Sequence, residues 1–443
     1  MFSIILAASL VAAAPQQDTV PAIITLEDAL QIALSESPTV RIADKDIEIK
    51  RYAKKGAYAS LFPQISANGS FSHTLKKQVM TMDFGGVSQS FEVGRWNTVN
   101  GGVTASLPLV NAQLWKSLSI SGEDVELAVE KARSSRLDLV TQVKQAYYSV
   151  LLAKEVDKVY NGVYDNAVAN LDQTQKRFNA QKTSELDLIR AKTAVANAIP
   201  NLYNAENSIA LALWQLKAVM GVDLDANLDV AGSLMDYSGD LVNDLALLSG
   251  GSLEGNTTLR QLAIQAEQLA NNIKRQQYAN LPSLALSFSH TWNAMEDKYN
   301  FSQYEWHPYA YLGLSLSIPI FAGGQRHSAI RQARLQADEL DLTRENTERQ
   351  LRIGIRQFLS TMETAEKSYA SAQEALESAR KAYDIAAKSY FVGRSTLTDL
   401  GDAQLALTQA QLSVSQAVYD FVVAKAGLEQ TLGADYNLYE PAK

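Results

Sequence analysis

The sequence contains the same structural unit twice. Chemically similar residues recur in the same order in the two halves, with prolines, aspartates and glycines among them. The matched pairs are Arg41 and Arg260, Pro63 and Pro282, Pro108 and Pro319, Phe178 and Tyr390, Asp187 and Asp399, and Gly221 and Gly433. A repeat of about 200 residues means that each element of the fold is expected twice.

Four segments alternate between apolar and small polar residues with a period of two, which predicts β-strands. They lie at 64–73, 97–107, 283–292 and 306–318, and polar loops at 74–96 and 293–305 separate the strands of each pair. Strands of about ten residues with one apolar and one polar face are typical of an outer-membrane barrel. The alternative is a soluble β-sandwich, which would need more strands than the chain shows.

The rest of each repeat has the pattern of long helices. Large apolar residues recur at every seventh position, and alanine lies three residues after each of the first four of them. These two positions of the heptad form the apolar seam along which such helices pack. The large residues are Leu188, Val195, Leu202, Ile209 and Leu216 in the first repeat and Leu400, Leu407, Val414, Phe421 and Leu428 in the second. Helical stretches at 113–178 and 325–390 are each about 100 Å long. Pro200 is expected to kink the first heptad helix.

The four predicted strands cannot form a closed barrel by themselves. The smallest transmembrane barrels have about eight strands, and an open sheet edge in lipid leaves backbone groups without partners. Several copies of the chain must therefore contribute strands to one barrel. A dimer, a trimer and a tetramer all satisfy this requirement.

The duplication also suggests segment boundaries. Residues 15–220 form the first repeat and 253–433 the second, with 221–252 as an equatorial linker and 434–443 as a C-terminal tail. Residues 1–14 have the apolar centre and small-residue exit of a signal peptide. The basic segment that usually precedes such a centre is missing, so the alternative is the buried first helix of a cytosolic protein.

Composition excludes several classes of protein. The chain has no cysteine, which excludes a disulfide scaffold and a Cys-ligated metal site. Its net charge of -8 is spread along the chain, which argues against nucleic acid as a partner. The longest apolar run, 4–15, is shorter than the roughly 20 residues of a transmembrane helix.

Catalytic chemistry has little support in the sequence. The four histidines are His73, His290, His307 and His327, and the first two are repeat mates on the apolar faces of predicted strands. There is no Gly-rich phosphate loop, no His-Glu-x-x-His and no Gly-x-Ser-x-Gly. We therefore expect no enzyme activity, no cofactor and no metal site.

Four strings occur in the order in which one known family has them. They are Ile24-Thr-Leu-Glu-Asp-Ala-Leu-Gln-Ile-Ala33, Leu61-Phe-Pro-Gln-Ile-Ser66, Ile318-Pro-Ile-Phe-Ala-Gly-Gly324 and Tyr390-Phe-Val-Gly-Arg-Ser-Thr-Leu-Thr-Asp-Leu400. Set in a duplicated unit, they resemble the TolC-type outer-membrane efflux protein family. The resemblance implies a mixed α/β membrane protein. It also implies a homotrimer whose twelve-stranded β-barrel continues into a periplasmic α-helical barrel.

The resemblance also implies a function. Members serve as the outer-membrane exit duct of a tripartite efflux pump or a type I secretion system, exporting small toxic compounds or polypeptides. The implied partners are a periplasmic adaptor, an inner-membrane pump and outer-membrane lipid. The alternatives are a structural or adhesive coiled-coil protein of the envelope and an unrelated soluble helical enzyme.

The turns between the long helices, 178–184 and 391–396, are the surfaces most available to an adaptor because the helices carry them far from the strands. The candidate contact residues are Phe178, Gln181, Ser184, Gly393 and Thr396. Glycine adopts positive φ at little cost and glutamine does not. The two turns therefore need not be equivalent.

A candidate gate follows the second turn. Asp399 and Asp402 are three residues apart and share one helix face. In a trimer they would form two rings of three carboxylates, and in the family that the chain resembles the matching positions narrow the periplasmic entrance. Tyr390, Arg394 and Asp187 are the predicted partners in hydrogen bonds or ion pairs that hold the turns together at rest.

Overall fold

The computed structural model describes residues 21–239, 241 and 252–434. The predicted signal peptide and the tail beyond residue 434 lie outside the described residues. The α-helices are α1 (Leu26–Glu36), α2 (Pro38–Ala59), α3 (Ala112–Asn179), α4 (Glu185–Met220), α5 (Thr257–Tyr278), α6 (Gln325–Phe391) and α7 (Leu397–Leu432). The strands are β1 (Ala22–Ile24), β2 (Gln64–His73), β3 (Gln78–Phe84), β4 (Val87–Val93), β5 (Asn97–Val110), β6 (Leu228–Val230), β7 (Ser283–Glu296) and β8 (His307–Ser317). None of the described helices is both long enough and apolar enough to cross a membrane.

The chain divides into two units. The helical unit consists of the described residues within 1–42, 134–256 and 350–443, and the strand unit consists of residues 43–133 and 257–349. The helices α2, α3 and α6 each contribute residues to both units. Both sequence repeats are therefore represented in each unit.

The strand unit contains an antiparallel sheet with the strand order β2-β5-β7-β8. Its register aligns apolar residues from all four strands in one row, Ile65, Ala105, Phe288 and Leu312. The adjacent row is Ser66, Thr104, Ser289 and Tyr311. Because successive residues of a strand face opposite sides, the sheet has one apolar face and one polar face.

Two strands extend beyond the ranges that alternation predicts. The strand β5 continues to Val110 through a register shift after Pro108, and β7 continues to Glu296. A bulge of this kind lets a strand accommodate proline, which cannot donate to the ladder. The predicted loop 293–305 is shortened accordingly, since β7 includes its first four residues and a short 3-10 helix occupies Phe301–Gln303.

The prediction of a plain loop at 74–96 is wrong. Within it, β3 and β4 form an antiparallel hairpin in which Phe84 pairs with Val87. Gly85 and Gly86 form its turn with φ of 58° and 92°. Two glycines between alternating runs are a strong hairpin signal because both central residues of the favoured turn have positive φ. The polar composition of the segment obscured this signal.

The heptad seam forms the interior of the helical unit. In the second repeat all five large seam residues are buried, and in the first repeat Leu188 and Leu216 are buried together with Ala191, Ala198 and Ala205. A Cβ on Gly427 would lie 2.6 Å from Cε1 of Phe358, so α7 approaches α6 closely at this point. The helix α4 continues through Pro200, and the proline therefore does not end it.

The second helix of each pair ends against the segment that begins its own repeat. Gly221 ends α4 with φ 76°, and Gly433 ends α7 with φ 70°. A Cβ on Gly221 would lie 2.9 Å from Cδ of Pro38, and one on Gly433 would overlap the carbonyl oxygen of Gly255. Glycine is therefore required at these ends both for its backbone conformation and for its lack of a side chain.

The linker 221–252 contributes β6, which pairs in parallel with β1. The hydroxyl of Tyr147 donates to the carbonyl oxygen of Ala231 at 2.8 Å, and burial raises the pKa of this tyrosine to about 12. Nζ of Lys154 donates to the carbonyl oxygen of Val230 at 2.9 Å. These bonds tie the small parallel sheet to α3.

Candidate gate and docking site at the helix turns

The two helix turns have the same backbone hydrogen bonds. In the first, the Gln181 and Lys182 N–H groups donate to the carbonyl oxygens of Phe178 and Arg177, both at 2.8 Å. In the second, Gly393 donates to Tyr390 at 3.0 Å and Arg394 to Ser389 at 2.8 Å. The two turns therefore share one backbone geometry, although the residue with positive φ differs between them.

This equivalence places Gln181 in a conformation that glycine has in the other turn. Its φ is 56°, against 78° for Gly393, and it is the one described non-glycine residue with positive φ. The left-handed region costs a residue with a Cβ roughly 1–2 kcal/mol. The first turn thus contains local strain that the second does not.

Replacing Gln181 with glycine is expected to stabilise the protein. Relief of the strain exceeds the entropy that glycine adds to the unfolded chain, so the free energy of unfolding should rise by about 1 kcal/mol. Urea unfolding followed by far-UV circular dichroism measures the change. Lys182→Gly is the matched control, because φ of Lys182 is outside the left-handed region, and it should give no gain. Equal effects of the two changes would contradict this account of Gln181.

The aspartate after each turn bonds to the N-cap of the next helix, which is Ser184 for α4 and Thr396 for α7. Ser184 Oγ and Thr183 Oγ1 each donate to Asp187 Oδ2 at 2.9 Å. In the second turn, the Thr396 N–H donates to Asp399 Oδ2 at 2.9 Å and the Asp399 N–H donates to Thr396 Oγ1 at 3.1 Å, which is a complete capping box.

These hydrogen bonds change the acidity of both groups. The Ser184 hydroxyl is the main cause of a lowered pKa at Asp187, and the Thr396 backbone N–H is the main cause at Asp399. Asp402 is exposed and has no hydrogen-bond or ion-pair partner among the residues that the structure describes. The predicted pair of gate aspartates therefore consists of one helix cap and one free carboxylate.

A contact between the ends of α3 and α6 holds the two turns together. Tyr390 is buried, and its hydroxyl lies 2.7 Å from Thr174 Oγ1. The Arg177 guanidinium lies 5.1 Å from the centroid of the Tyr390 ring, and its Nη1 donates to the carbonyl oxygen of Tyr390. A cation over an aromatic face adds attraction to the hydrogen bond.

Within this chain, the side chain of Tyr390 contacts residues other than Arg394 and Asp187. Thr174 and Arg177 contact it, whereas the bonds of Asp187 are to Thr183 and Ser184. Arg394 and the remaining predicted docking residues lie on the surface of the turns, with Gln181, Ser184, Gly393 and Thr396 exposed and Phe178 half-buried. The one sequence signal for Arg177 is the asymmetry of the repeats, because its mate is Ser389.

Beside the turns, α3, α4 and α7 enclose a groove of 680 Å³. Its lining combines apolar side chains with side-chain amides, and the amides are Asn166, Asn170, Asn197, Asn201, Gln404 and Gln409. Arg190 also lines the groove, and its Nη1 lies 3.5 Å from Thr398 Oγ1 of α7. Amides donate and accept hydrogen bonds and a guanidinium donates them, so the groove offers both apolar contacts and hydrogen-bonding groups to a partner helix.

The two sequence repeats each match one known protein family. Residues 29–222 and 248–434 match the family described as outer membrane efflux protein. The chain belongs to the outer membrane efflux protein family. The two matched segments of this efflux protein contain the two helix turns described above.

Relatives of this efflux protein are transport and secretion proteins of other bacteria. The outer membrane protein TolC of Escherichia coli (strain K12) is 22% identical over 421 residues, which cover 92% of this chain and 82% of TolC. The alkaline protease secretion protein AprF of Pseudomonas aeruginosa is 22% identical over 414 residues, which cover 91% of this chain and 83% of AprF.

Solved structures share the fold. The CusC structure has a TM-score of 0.73 at 17% identity, covering 95% of each chain. The outer membrane protein VceC from Vibrio cholerae has a TM-score of 0.72 at 16% identity, covering 92% of this chain and 96% of VceC. The efflux protein is thus a TolC-type outer-membrane factor of the bacterial outer membrane and serves as an exit duct for efflux and secretion.

Proposed function

We propose that three copies of this efflux protein form one duct, with a twelve-stranded β-barrel in the outer membrane and an α-helical barrel in the periplasm. The observation that carries the proposal is the open sheet of the strand unit. Among the described residues, no further strand pairs with the outer edge of β2 or of β8. In lipid those edges need strands from other copies, because unpaired backbone groups are costly there.

The two faces of the sheet support the same proposal. In such a barrel the apolar row with Phe288 and Leu312 faces lipid and the row with Ser66 and Thr104 faces water. Leu312 is 69% exposed in the single chain. An apolar side chain so exposed is accounted for by lipid around the barrel.

The helix turns would receive a periplasmic adaptor, which connects the duct to an inner-membrane pump. The groove beside them offers apolar contacts and hydrogen-bonding groups to a partner helix. Helices commonly dock into grooves of this kind. The cargo is then small toxic compounds or polypeptides, since two relatives are named for antibiotic efflux and for alkaline protease secretion.

The gate would be formed by the second turn. The contact of Tyr390 with Thr174 and Arg177 would hold α6 against α3 in the closed state, and Asp399 and Asp402 of three copies would surround the entrance. Opening then requires that the Arg177 contact be broken in each copy.

The proposed assembly is tested by mass and conductance together. Purified protein in detergent should have the mass of a trimer by light scattering, and the same sample should conduct ions across a planar bilayer. A conducting monomer would contradict the shared barrel. A trimer that never conducts would favour a structural envelope protein instead.

The docking proposal predicts that the turns control adaptor crosslinking. Replacing both Gln181 and Arg394 with glutamate should reverse or add charge at the turns and reduce crosslinking to the adaptor, because complementary surfaces determine such contacts. Glu345→Gln in the exposed part of α6 is the control and should leave crosslinking unchanged. If the double variant is folded and crosslinks like the native protein, the turns are not the docking site.

A further inference from the structure

The hairpin in the strand unit has one apolar face that the chain itself leaves open. Met80 pairs with Phe91, and Met82 pairs with Gln89, so these side chains lie on the same face as Val93. Met80, Met82, Phe91 and Val93 are between 40% and 45% exposed. The opposite face is mostly polar and includes Thr81, Asp83, Ser88, Ser90 and Glu92.

The base of the hairpin is held firmly. Asp297, just beyond β7, accepts hydrogen bonds from Arg95 Nη1 at 2.6 Å, from the Trp96 N–H at 3.0 Å and from Lys77 Nζ at 3.1 Å. The bond from Arg95 is the main reason why the pKa of Asp297 falls to about 2, so this carboxylate stays ionised at physiological pH. A hairpin that is fixed at its base loses little conformational entropy when another surface covers its apolar face.

The charge of the hairpin argues against anionic lipid as the cover. Between Gln78 and Val93 there is no lysine, arginine or histidine, whereas Asp83 and Glu92 are acidic. A surface that binds anionic headgroups needs clustered basic residues. Anionic lipid headgroups are therefore not the expected cover.

The position of the hairpin indicates where that surface comes from. The hairpin follows β2, whose outer edge is free, and β8 has the other free edge. The register places His73 of β2, Asn97 of β5, Glu296 of β7 and the start of β8 at the same end of the sheet. In the trimer of the proposed function, β2 of one copy pairs with β8 of the next. The segment that leads into β8 of that copy then lies beside the hairpin.

That segment has exposed apolar side chains among polar and charged residues. Met295, Tyr299 and Trp306 are 49%, 62% and 50% exposed, and Tyr299 also contacts His73 and Phe71 of its own chain. We propose that the apolar face of the hairpin packs on this segment of a second copy of the same chain, forming a collar of three hairpins beside the barrel seams. The inference rests on the proposed trimer and adds a contact to it beyond the strand ladder. Two open apolar surfaces on either side of one seam exclude water when they meet.

The absence of cysteine makes a direct test possible. Met82→Cys, modified with benzophenone maleimide in the detergent-purified assembly and irradiated, should give a dimer-mass adduct that maps by mass spectrometry to residues 293–306. Thr81→Cys is the matched control on the polar face of the same strand, and it should give several-fold less dimer adduct. Light scattering of each sample before irradiation reports the trimer separately.

Each result has a distinct meaning. A trimer in which Met82→Cys gives only detergent or lipid adducts, or no more dimer than Thr81→Cys, overturns the collar and leaves the trimer in place. A dimer adduct that maps to the hairpin of the second copy overturns the assigned contact. A sample without trimer contradicts the proposed function, as distinct from the collar.

Discussion

Replacing Gly433 with alanine is expected to destabilise the helical unit strongly. A Cβ there would overlap the carbonyl oxygen of Gly255 and would lie 3.0 Å from the backbone nitrogen of Asn256, so the backbone must move. The positive φ of 70° adds roughly 1–2 kcal/mol, and forced displacement of packed atoms adds roughly 1–3 kcal/mol. The total loss in free energy of unfolding should be about 3 kcal/mol.

Gly393 provides the matched control. Its φ is 78°, but a Cβ there would meet only Nη2 of Arg177, at 3.3 Å, which is the end of a flexible side chain. Gly393→Ala should therefore lower the free energy of unfolding only by the cost of the positive φ, about 1–2 kcal/mol. Urea midpoints from far-UV circular dichroism measure both variants. If Gly433→Ala is no more destabilising than Gly393→Ala, the close approach at Gly255 is not a structural constraint.

Neutralising both aspartates after the second turn is expected to abolish the cation preference of the duct. The three carboxylates of each ring would attract cations to the periplasmic entrance of the duct. The capping box dictates the choice of variant, because Asp399→Ala would also remove a helix cap, whereas Asp399→Asn keeps an acceptor for the Thr396 N–H. The double variant Asp399→Asn with Asp402→Asn should move the reversal potential in a salt gradient toward zero.

The pH dependence follows from the capping bond. The pKa of Asp399 lies below its ordinary value of 3.8 because the Thr396 N–H stabilises the charged form. Its contribution to selectivity should thus persist as the pH falls to 4 and disappear only when the pH passes below that lowered pKa. Asp384→Asn, in the exposed part of α6, is the control. An unchanged reversal potential in the double variant would place the selectivity elsewhere.

Several parts of the fold can be predicted from the sequence because they depend on short periods. Alternation indicates the apolar and polar faces of β2, β5, β7 and β8, and the heptads indicate the buried seam of α4 and α7. The hairpin was also predictable, since Gly85-Gly86 lies between alternating runs. The capping boxes can also be predicted from a short pattern, because Thr396 and Asp399 have the spacing of a cap and Thr25 and Asp28 repeat it.

The candidate site was predictable only in outline. The duplication indicates both turns, but it does not indicate which side chains join them. Tyr390 and Arg177 are separated by 213 residues, and no local period relates them. Asp399 and Asp402 are interpreted as gate residues from their spacing, and the structure shows in addition that the carboxylate of Asp399 belongs to a helix cap.

The sequence by itself determined the repeats, the two faces of the strands and the helical seam, because each follows from a regular spacing of residue types along the chain. Only the tertiary structure decided that Gln181 adopts the backbone conformation of Gly393, that Arg177 lies over Tyr390, and that Gly433 lies against Gly255. These contacts join residues distant in sequence, and their energies depend on distances of a few ångströms that no local pattern contains.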